Sequence, residues 1–492
     1  MGSQDLFSHL HLILIPLMTQ GHMIPMIDMA RLFARRGPLV TIITTPANAA
    51  RFESTISRDV DSGLPIGLIK VPFPSAEVGL PDGCENIDTL PSFDVVSNFF
   101  VAVNMLQGHV EKFLMEAQPR PSCIISDMGF PWTNETARKF NIPRLVFHGT
   151  NCFYLLGNHG LRLHKTHENV ASDSELFVIP GMPDKFNFNR SQLPDSLIGR
   201  SQLVDIRQKM AEAESTVHGV VVNSFDALEP EFIASLQEAT GKKAWTLGPV
   251  SLCNTNVRDK IERGNKASVD EKNCLQWLDS NKPKSVVYAC FGSLCRLRAS
   301  QLIEIGLGLE ASNHNFIWVI RNNNDFSEID LWLSQEGFED RVKDRGLVIR
   351  GWAPQVLILA HPATGAFLSH CGWNSTLEGI SAGVPMISWP LGAEQFFNEK
   401  LVVDVLQMGV SMGAKEAVRW GMEKTAVKLV EREKVKQAVE KVMDDGEEGE
   451  RRRERATELR AKARQAMEEG GSSYLNMTLL LESIKQYPME EP

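Results

Sequence analysis

The sequence predicts an α/β protein built from two Rossmann-like, doubly wound domains that face each other across a cleft. Three observations lead there. The chain has 492 residues, too many for one ordinary core, so two domains of roughly 200–250 residues each are expected. Apolar strand-like runs alternate with amphipathic helical stretches through the first half, and the same rhythm restarts near residue 285, as parallel sheets covered by helices require. Polar side chains of unusual variety then gather in one segment, 352–395, around what would otherwise be a plain strand–helix–strand unit.

Taken in order, LHLILIPL (10–17) reads as a first strand, TQGH (19–22) as a loop and MIPMIDMARLFARR (23–36) as an amphipathic helix stopped by Gly37. LVTIITT (39–45), SCIISD (122–127) and PRLVFHG (143–149) read as further strands, with NETARKF (134–140) as a helix between the last two. The stretch 178–194 carries Pro and Gly and reads as loops rather than a strand pair. GVVVNSF (219–225) and KAWTLGPV (243–250) read as late strands of an N-terminal domain spanning 1–250. Residues 251–272 are polar without a clear period and read as the interdomain linker.

In the C-terminal domain, 273–470, SVVYAC (285–290), NFIWVIR (315–321) and GLVIRG (346–351) read as strands, with a helix at 299–312. GAFLS (365–369) is a strand, HCGWNS breaks it, TLEGISAG is a short helix stopped by Gly383, and VPMISW (384–389) is another strand. The charged stretches 431–445 and 451–469 read as helices with solvated faces. The last segment, 471–492, contains a helix at 472–486 with Ser472 as its N-cap and an apolar stripe of Leu475, Leu479 and Ile484.

Composition narrows the function. Apolar residues make up 43% of the chain and charged residues 23%, which suits a globular protein. A net charge of −10 removes the basic footprint that nucleic acid needs. The run from Leu10 to Met18 is too short, and too interrupted by His11 and Pro16, for a membrane span, and no basic region precedes it; no integral-membrane role is expected. Eight cysteines without a C-x-x-C pair fit reduced thiols in the cytoplasm rather than disulfides or a zinc site. Asn374-Ser375-Thr376 is a glycosylation sequon inside the polar segment, which also favours the cytosol.

Asn374 and Ser375 stand at the start of the helix after GAFLS, where free backbone N–H groups and the helix dipole favour an anion such as phosphate. Glu378 lies one turn further along the same face, suited to a sugar hydroxyl. His22 and Asp127 each follow a strand at its carboxyl end, where doubly wound sheets place ligands. Imidazole titrates near neutrality and suits a general base; a carboxylate on its other nitrogen would fix the tautomer.

Three competing motifs fail their context. Gly306-Leu-Gly308-Leu-Glu-Ala311 matches a dinucleotide fingerprint but falls inside a helical stretch rather than at a strand-to-helix turn. Gly379-Ile-Ser381-Ala-Gly383 matches a hydrolase nucleophile elbow, but helix precedes strand there, so Ser381 reads as structural. Asp59-Val-Asp61 is a bare D-x-D in a loop-like stretch far from the polar segment.

The 44 positions from Trp352 to Gln395, opening on WAPQ, carrying HCGWNS and closing on EQ, resemble the signature box of the UDP-sugar-dependent glycosyltransferases of plant specialised metabolism. The resemblance extends over nearly the whole chain: MTQGHMIPM, TPANAARF, NIPRLVFHG and WTLGPVSLCN are similar to one subgroup, whose members act on flavonoids, triterpenoids, steroid hormones and cytokinins. It implies a GT-B fold in which a final helix crosses back onto the N-terminal domain. It also implies a monomer that needs no metal or cofactor, with UDP-glucose as the donor substrate. Trp352 would face the uracil, with Ala353 beside it, and Gln355 and Glu378 would hold the ribose. Ser293, His370, Asn374 and Ser375 would hold the diphosphate; Trp373, Glu394 and Gln395 would hold the hexose.

The resemblance also implies His22 as the base and Asp127 as its partner, so that an α-linked donor would yield a β-glucoside. Gln395 goes with glucosyl transfer, where His goes with galactosyl transfer. Gly392 departs from the pattern, where a bulkier, often aromatic residue is common, and implies a wider site. Met18, Met128, Phe130, Phe147 and Phe153 are expected to line a pocket for a small lipophilic acceptor. Two alternatives stay open: UDP-galactose or UDP-glucuronate as donor, and a non-catalytic nucleotide-sugar or hormone-binding protein.

Overall fold

In the N-terminal half, strands β1 (His11–Ile15), β2 (Leu39–Thr44), β3 (Ile66–Lys70), β4 (Cys123–Asp127) and β5 (Arg144–His148) lie in one parallel sheet. β1, β4 and β5 are buried along their whole length, which is why their middles are apolar without alternation, with buried polar residues such as Asp127 and Arg144 toward the strand ends. A small antiparallel pair follows, β6 (Leu176–Val178) with β7 (Asn187–Asn189). β8 (Gly219–Val222) and β9 (Ala244–Thr246) then complete the sheet in the order β3-β2-β1-β4-β5-β8-β9. The computed structural model describes residues 6–199, 203–321, 326–418 and 430–488. Of the expected domain and tail ranges, 1–5, 200–202, 322–325, 419–429 and 489–492 lie outside them.

The C-terminal half holds a second parallel sheet. Its strands are β10 (Val286–Cys290), β11 (Asn315–Ile320), β12 (Gly346–Arg350), β13 (Thr364–Ser369), β14 (Met386–Ser388) and β15 (Gly409–Ser411), ordered β12-β11-β10-β13-β14-β15. In each sheet the strand order reverses at one point: between β1 and β4 in the first, and between β10 and β13 in the second. A crevice opens at the carboxyl ends of strands at such a point. The first switch point presents the residues after β1 and β4, the second those after β10 and β13.

Three departures from the sequence reading have local causes. The stretch 178–194 does contain a strand pair; its strands are three residues long and half exposed, too short for an alternating pattern. Asp59 and Asp61 sit in a helix, Glu53–Asp61, and not in a loop. The C-terminal helix, Ser472–Lys485, starts after Gly471 with no side-chain cap bond. It buries Met477, Leu480, Leu481 and Ile484, whereas Leu475 and Leu479 are each 49% exposed. Its buried face packs into the core of the first sheet. Asn476 Nδ2 donates to Thr246 Oγ1 at 2.9 Å, and the Arg36 guanidinium stacks 3.4 Å from the Tyr474 ring centre.

The two halves share an apolar core. Phe188 from the first half stacks on Phe397 from the second at 4.3 Å. Phe397 sits so close to Gly157 that a Cβ there would fall 2.6 Å from its ring.

Candidate active site

A cavity of about 390 Å³ lies over both switch points, lined from both halves. On the N-terminal wall, His22 stands in the first turn of the helix Gln20–Ala34 that follows β1. Its Nδ1 lies 2.6 Å from Asp127 Oδ2 at the end of β4. The other carboxylate oxygen accepts the Gly129 N–H at 2.9 Å, so Asp127, wholly buried, is held at both oxygens. With Nδ1 donating to the carboxylate, Nε2 carries the free lone pair, and the ring is 27% exposed to the cavity. Gly149 makes room for it: a Cβ there would sit 3.1 Å from the imidazole Cε1. Burial pulls the imidazole toward its neutral form, but the charge of and hydrogen bond to Asp127 outweigh that, and its pKa lies above the usual 6.5.

The opposite wall comes from the strand ends of the second sheet. Ser293 follows β10, and His370 follows β13; both line the cavity. His370 is cradled by two glycines, since a Cβ at Gly292 or at Gly372 would fall 2.5 Å from its ring. Burial lowers its pKa to about 4, so at neutral pH it offers a neutral imidazole, not a cation. The helix Trp373–Ala382 begins after Gly372 and points its N-terminus into the cavity with Asn374 and Ser375 in the first turn. Cys371 just before it has φ 63°, a costly backbone for a residue with a Cβ, of the kind found where a site must be shaped. Ala393 has φ 50° in the loop that carries Glu394 and Gln395.

Trp352, half-buried, lies beneath the Arg321 guanidinium at 5.3 Å, and Ala353 lines the cavity next to it. Gln355 Nε2 donates to Ser375 Oγ at 3.1 Å and to Glu378 Oε2 at 2.7 Å. Trp373 borders the cavity, but its indole is 1% exposed and its Nε1 donates across to Asn223 O at 2.8 Å. Gln395 Oε1 accepts the Leu391 and Gly392 N–H groups at 2.8 and 2.9 Å, so its amide nitrogen is what remains to donate. Burial raises the pKa of Glu394. Gln20 Oε1, Thr150 Oγ1 and Asn374 Oδ1 are buried polar atoms of the lining with no hydrogen-bond partner among the described residues; such atoms mark places for a polar ligand.

Of the five residues expected to line the acceptor side, only Met128 does so. Met18, Phe130, Phe147 and Phe153 are core residues, each at most 1% exposed. Phe130 meets Trp132 edge-on at 5.8 Å, and Phe153 meets Phe232 at 4.8 Å. The apolar lining comes instead from Leu17, Ile87, Phe93, Val96, Phe100, Leu203 and Met210, with Tyr154 and Arg207 beside them. Val96 and Phe100 sit on the helix Val96–Met105 and Met210 and Arg207 on the helix Val204–Glu214, where an amphipathic stripe reads as core; Leu17, Ile87, Phe93 and Leu203 come from loops, short turns and a helix start. Arg263 of the interdomain segment also reaches the cavity; only its place in a polar run ahead of a glycine could have drawn attention to it.

The rejected motifs have structural roles. Gly306 and Gly308 lie within the helix Ala299–Ala311 and let it approach Trp318 and Val435. Ser381 Oγ donates to Leu377 O at 2.7 Å within its own helix. Asp59 is ion-paired with Arg31 in the N-terminal half.

Two doubly wound sheets closing over one cavity at their switch points define the architecture of a GT-B glycosyltransferase. The family model for "UDP-glucoronosyl and UDP-glucosyl transferase" matches residues 211–447. UDP-glycosyltransferase 73C6 of Arabidopsis thaliana is 52% identical over 478 residues, covering 97% of each chain. UDP-glycosyltransferase 73C11 of Barbarea vulgaris is equally similar, with the same coverage. Among solved structures, Glycyrrhiza uralensis UGT73P12 complexed with glycyrrhetinic acid 3-O-monoglucuronide superposes with a TM-score of 0.90 at 38% identity, covering 97% of this chain and 96% of that one. Phytolacca americana UGT2 complexed with UDP-2fluoro-glucose and pterostilbene does so with a TM-score of 0.76 at 26% identity, covering 97% and 100%. The chain belongs to the plant UDP-glycosyltransferase family, and it is an enzyme that transfers a glycosyl group from a UDP-sugar.

Proposed function

We propose that this enzyme transfers glucose from UDP-glucose to a hydroxyl of a small lipophilic acceptor, a triterpenoid, steroid or flavonoid, with inversion at the anomeric carbon. The observation that carries this reading is the His22–Asp127 pair on one wall of a cavity whose other wall is a helix N-terminus flanked by His370 and Ser293. The acceptor O–H gives its proton to His22 Nε2 as its oxygen attacks C1 of the glucose. The bond from C1 to the diphosphate oxygen breaks, and UDP leaves with the electron pair. Asp127 stabilises the imidazolium that forms. The charge developing on the diphosphate is received by the N–H groups at the head of the helix Trp373–Ala382 and by neutral His370; in this reading no metal is needed.

The donor preference rests on Gln395, whose amide can donate to hexose hydroxyls. The apolar lining around Phe93, Phe100 and Met210 supports a bulky lipophilic acceptor. It is in keeping with relatives that hold pterostilbene or glycyrrhetinic acid 3-O-monoglucuronide. The glucuronide in one relative keeps UDP-glucuronate as a second donor to test. Eight free thiols support a reducing, cytosolic setting.

The test is a mass-spectrometric screen of the purified protein with UDP-glucose, UDP-galactose and UDP-glucuronate against a mixed aglycone library. A mass gain of one hexose with UDP-glucose, carried by a β-linked product and lost by ~10²–10⁴-fold in His22→Ala, is the expected result. Turnover that persists in His22→Ala rejects the base assignment; turnover with UDP-glucuronate alone rejects the donor.

A further inference from the structure

The interdomain segment is more than a tether. Its residue Arg263 is ion-paired on both sides: Nε donates to Asp28 Oδ2 at 2.7 Å, and Nη1 donates to Glu378 Oε1. Asp28 belongs to the same helix as His22 in the N-terminal half; Glu378 belongs to the helix that heads the donor wall. All three side chains are less than 10% exposed. Asp28 is itself fixed by Asn254 Nδ2 at 2.9 Å, and the neighbouring Arg31 ties the same helix to Asp259 and Asn254 at 3.0 and 2.7 Å. The segment is therefore anchored to the N-terminal half before Arg263 reaches across.

Beyond Arg263 the chain closes on Trp352. Gly264 has φ +92°, and a Cβ there would lie 2.6 Å from the Trp352 ring and 2.9 Å from Ile24. Ser268 Oγ accepts the Trp352 N–H at 2.9 Å, while Ser268 N–H donates to Trp352 O at 2.8 Å. Asn265 Oδ1 accepts from Gln20 Nε2 at 2.7 Å. The same few residues thus frame the aromatic ring and the carboxylate at one end of the cavity.

The geometry at Glu378 is selective. Arg263 takes one oxygen and Gln355 Nε2 takes the other. An ionised carboxylate has about four acceptor positions, so one on each oxygen stays open for hydroxyls entering from the cavity. Two donors at fixed positions hold the carboxylate plane, and the guanidinium offsets what a lone buried charge would cost.

We propose that Arg263 is a positioning residue for the donor: clamped by Asp28, it sets the Glu378 carboxylate that receives the ribose hydroxyls, so that nucleotide recognition depends on both domains. This rests on the reading of Glu378 as a ribose ligand. The experiment compares UDP with 2′-deoxy-UDP as competitive inhibitors against UDP-glucose, in the wild type and in Arg263→Met, Arg263→Lys, Asp28→Asn and Glu378→Gln, with circular dichroism to establish folding.

In Arg263→Met the affinity for UDP falls about tenfold while that for 2′-deoxy-UDP changes by less than about twofold, the loss expected when one charged hydrogen bond is misplaced. The ribose discrimination collapses, KM for UDP-glucose rises and kcat at saturating donor is kept. Arg263→Lys restores part of the discrimination, and Asp28→Asn, which touches no donor atom, moves it in the same direction as Arg263→Met. If Glu378→Gln loses the discrimination but Arg263→Met and Asp28→Asn keep it, Arg263 has no positioning role and the proposal falls alone. If Glu378→Gln also keeps it, the ribose reading of Glu378 falls and takes the proposal with it.

Discussion

At the scale of single residues, the proposed mechanism turns on how one histidine is held. Asp127 is fixed at both oxygens and buried, so it orients the imidazole and raises its pKa above 6.5. The base form is the unprotonated one, so the rate climbs as pH rises through that pKa. Replacing Asp127 with Asn removes the pull toward the charged form. The acid limb of the pH–kcat profile then moves to lower pH while the plateau falls by ~10²–10⁴-fold, because the tautomer and orientation are no longer secured. An acid limb that stays put in Asp127→Asn counts against the pairing. The meeting of His22 and Asp127 was legible in the sequence because one follows β1 and the other ends β4, neighbouring strands at the same sheet end. The expected acceptor residues were not: Phe130 and Phe153 follow strands and Phe147 lies within β5, yet all three are core residues. A strand end tells which residues are near a crevice, not which way each side chain turns.

At the scale of elements, helix contacts decide the meaning of motifs. Gly308 matches part of a nucleotide fingerprint, but a Cβ there would meet Val435 Cβ at 2.5 Å and Arg432 O at 2.7 Å. It is a helix-packing glycine. Gly308→Ala is expected to destabilise the fold by ~1–3 kcal/mol, as overpacking does, and to leave KM for UDP-glucose unchanged; thermal melting beside donor kinetics separates the two. The same scale explains the last helix. The apolar stripe picked out Leu475, Leu479 and Ile484; Ile484 is buried, but its companions on the buried face are Met477, Leu480 and Leu481, while Leu475 and Leu479 are exposed. An apolar residue on a short helix can satisfy the period on either of two adjacent faces, and only the surface it docks against chooses between them.

At the scale of the whole molecule, one cavity is assembled from two switch points that are far apart in sequence. The shared core around Phe188 and Phe397 and the Trp373–Asn223 bond hold the halves in register. In the proposed function UDP binds at that junction. UDP at a hundredfold excess over its Kd should therefore stabilise the protein by ~2.7 kcal/mol and raise the melting temperature in a scanning fluorimetry titration. No shift at saturating UDP would contradict a preformed nucleotide site. Among the described residues no helix is long and apolar enough to cross a membrane.

Local apolar period was enough to read the two doubly wound sheets and the strand ends that meet the crevice, while the donor reading of Trp352 to Gln395 came from its resemblance to a family signature. Only the packed structure shows which side chains form the apolar part of the cavity wall, and that Arg263 of an apparently featureless linker holds Glu378 with Asp28 at its back. Those facts depend on side chains brought together from positions more than a hundred residues apart. Local sequence carries no record of such meetings; they arise only when both domains have folded and docked.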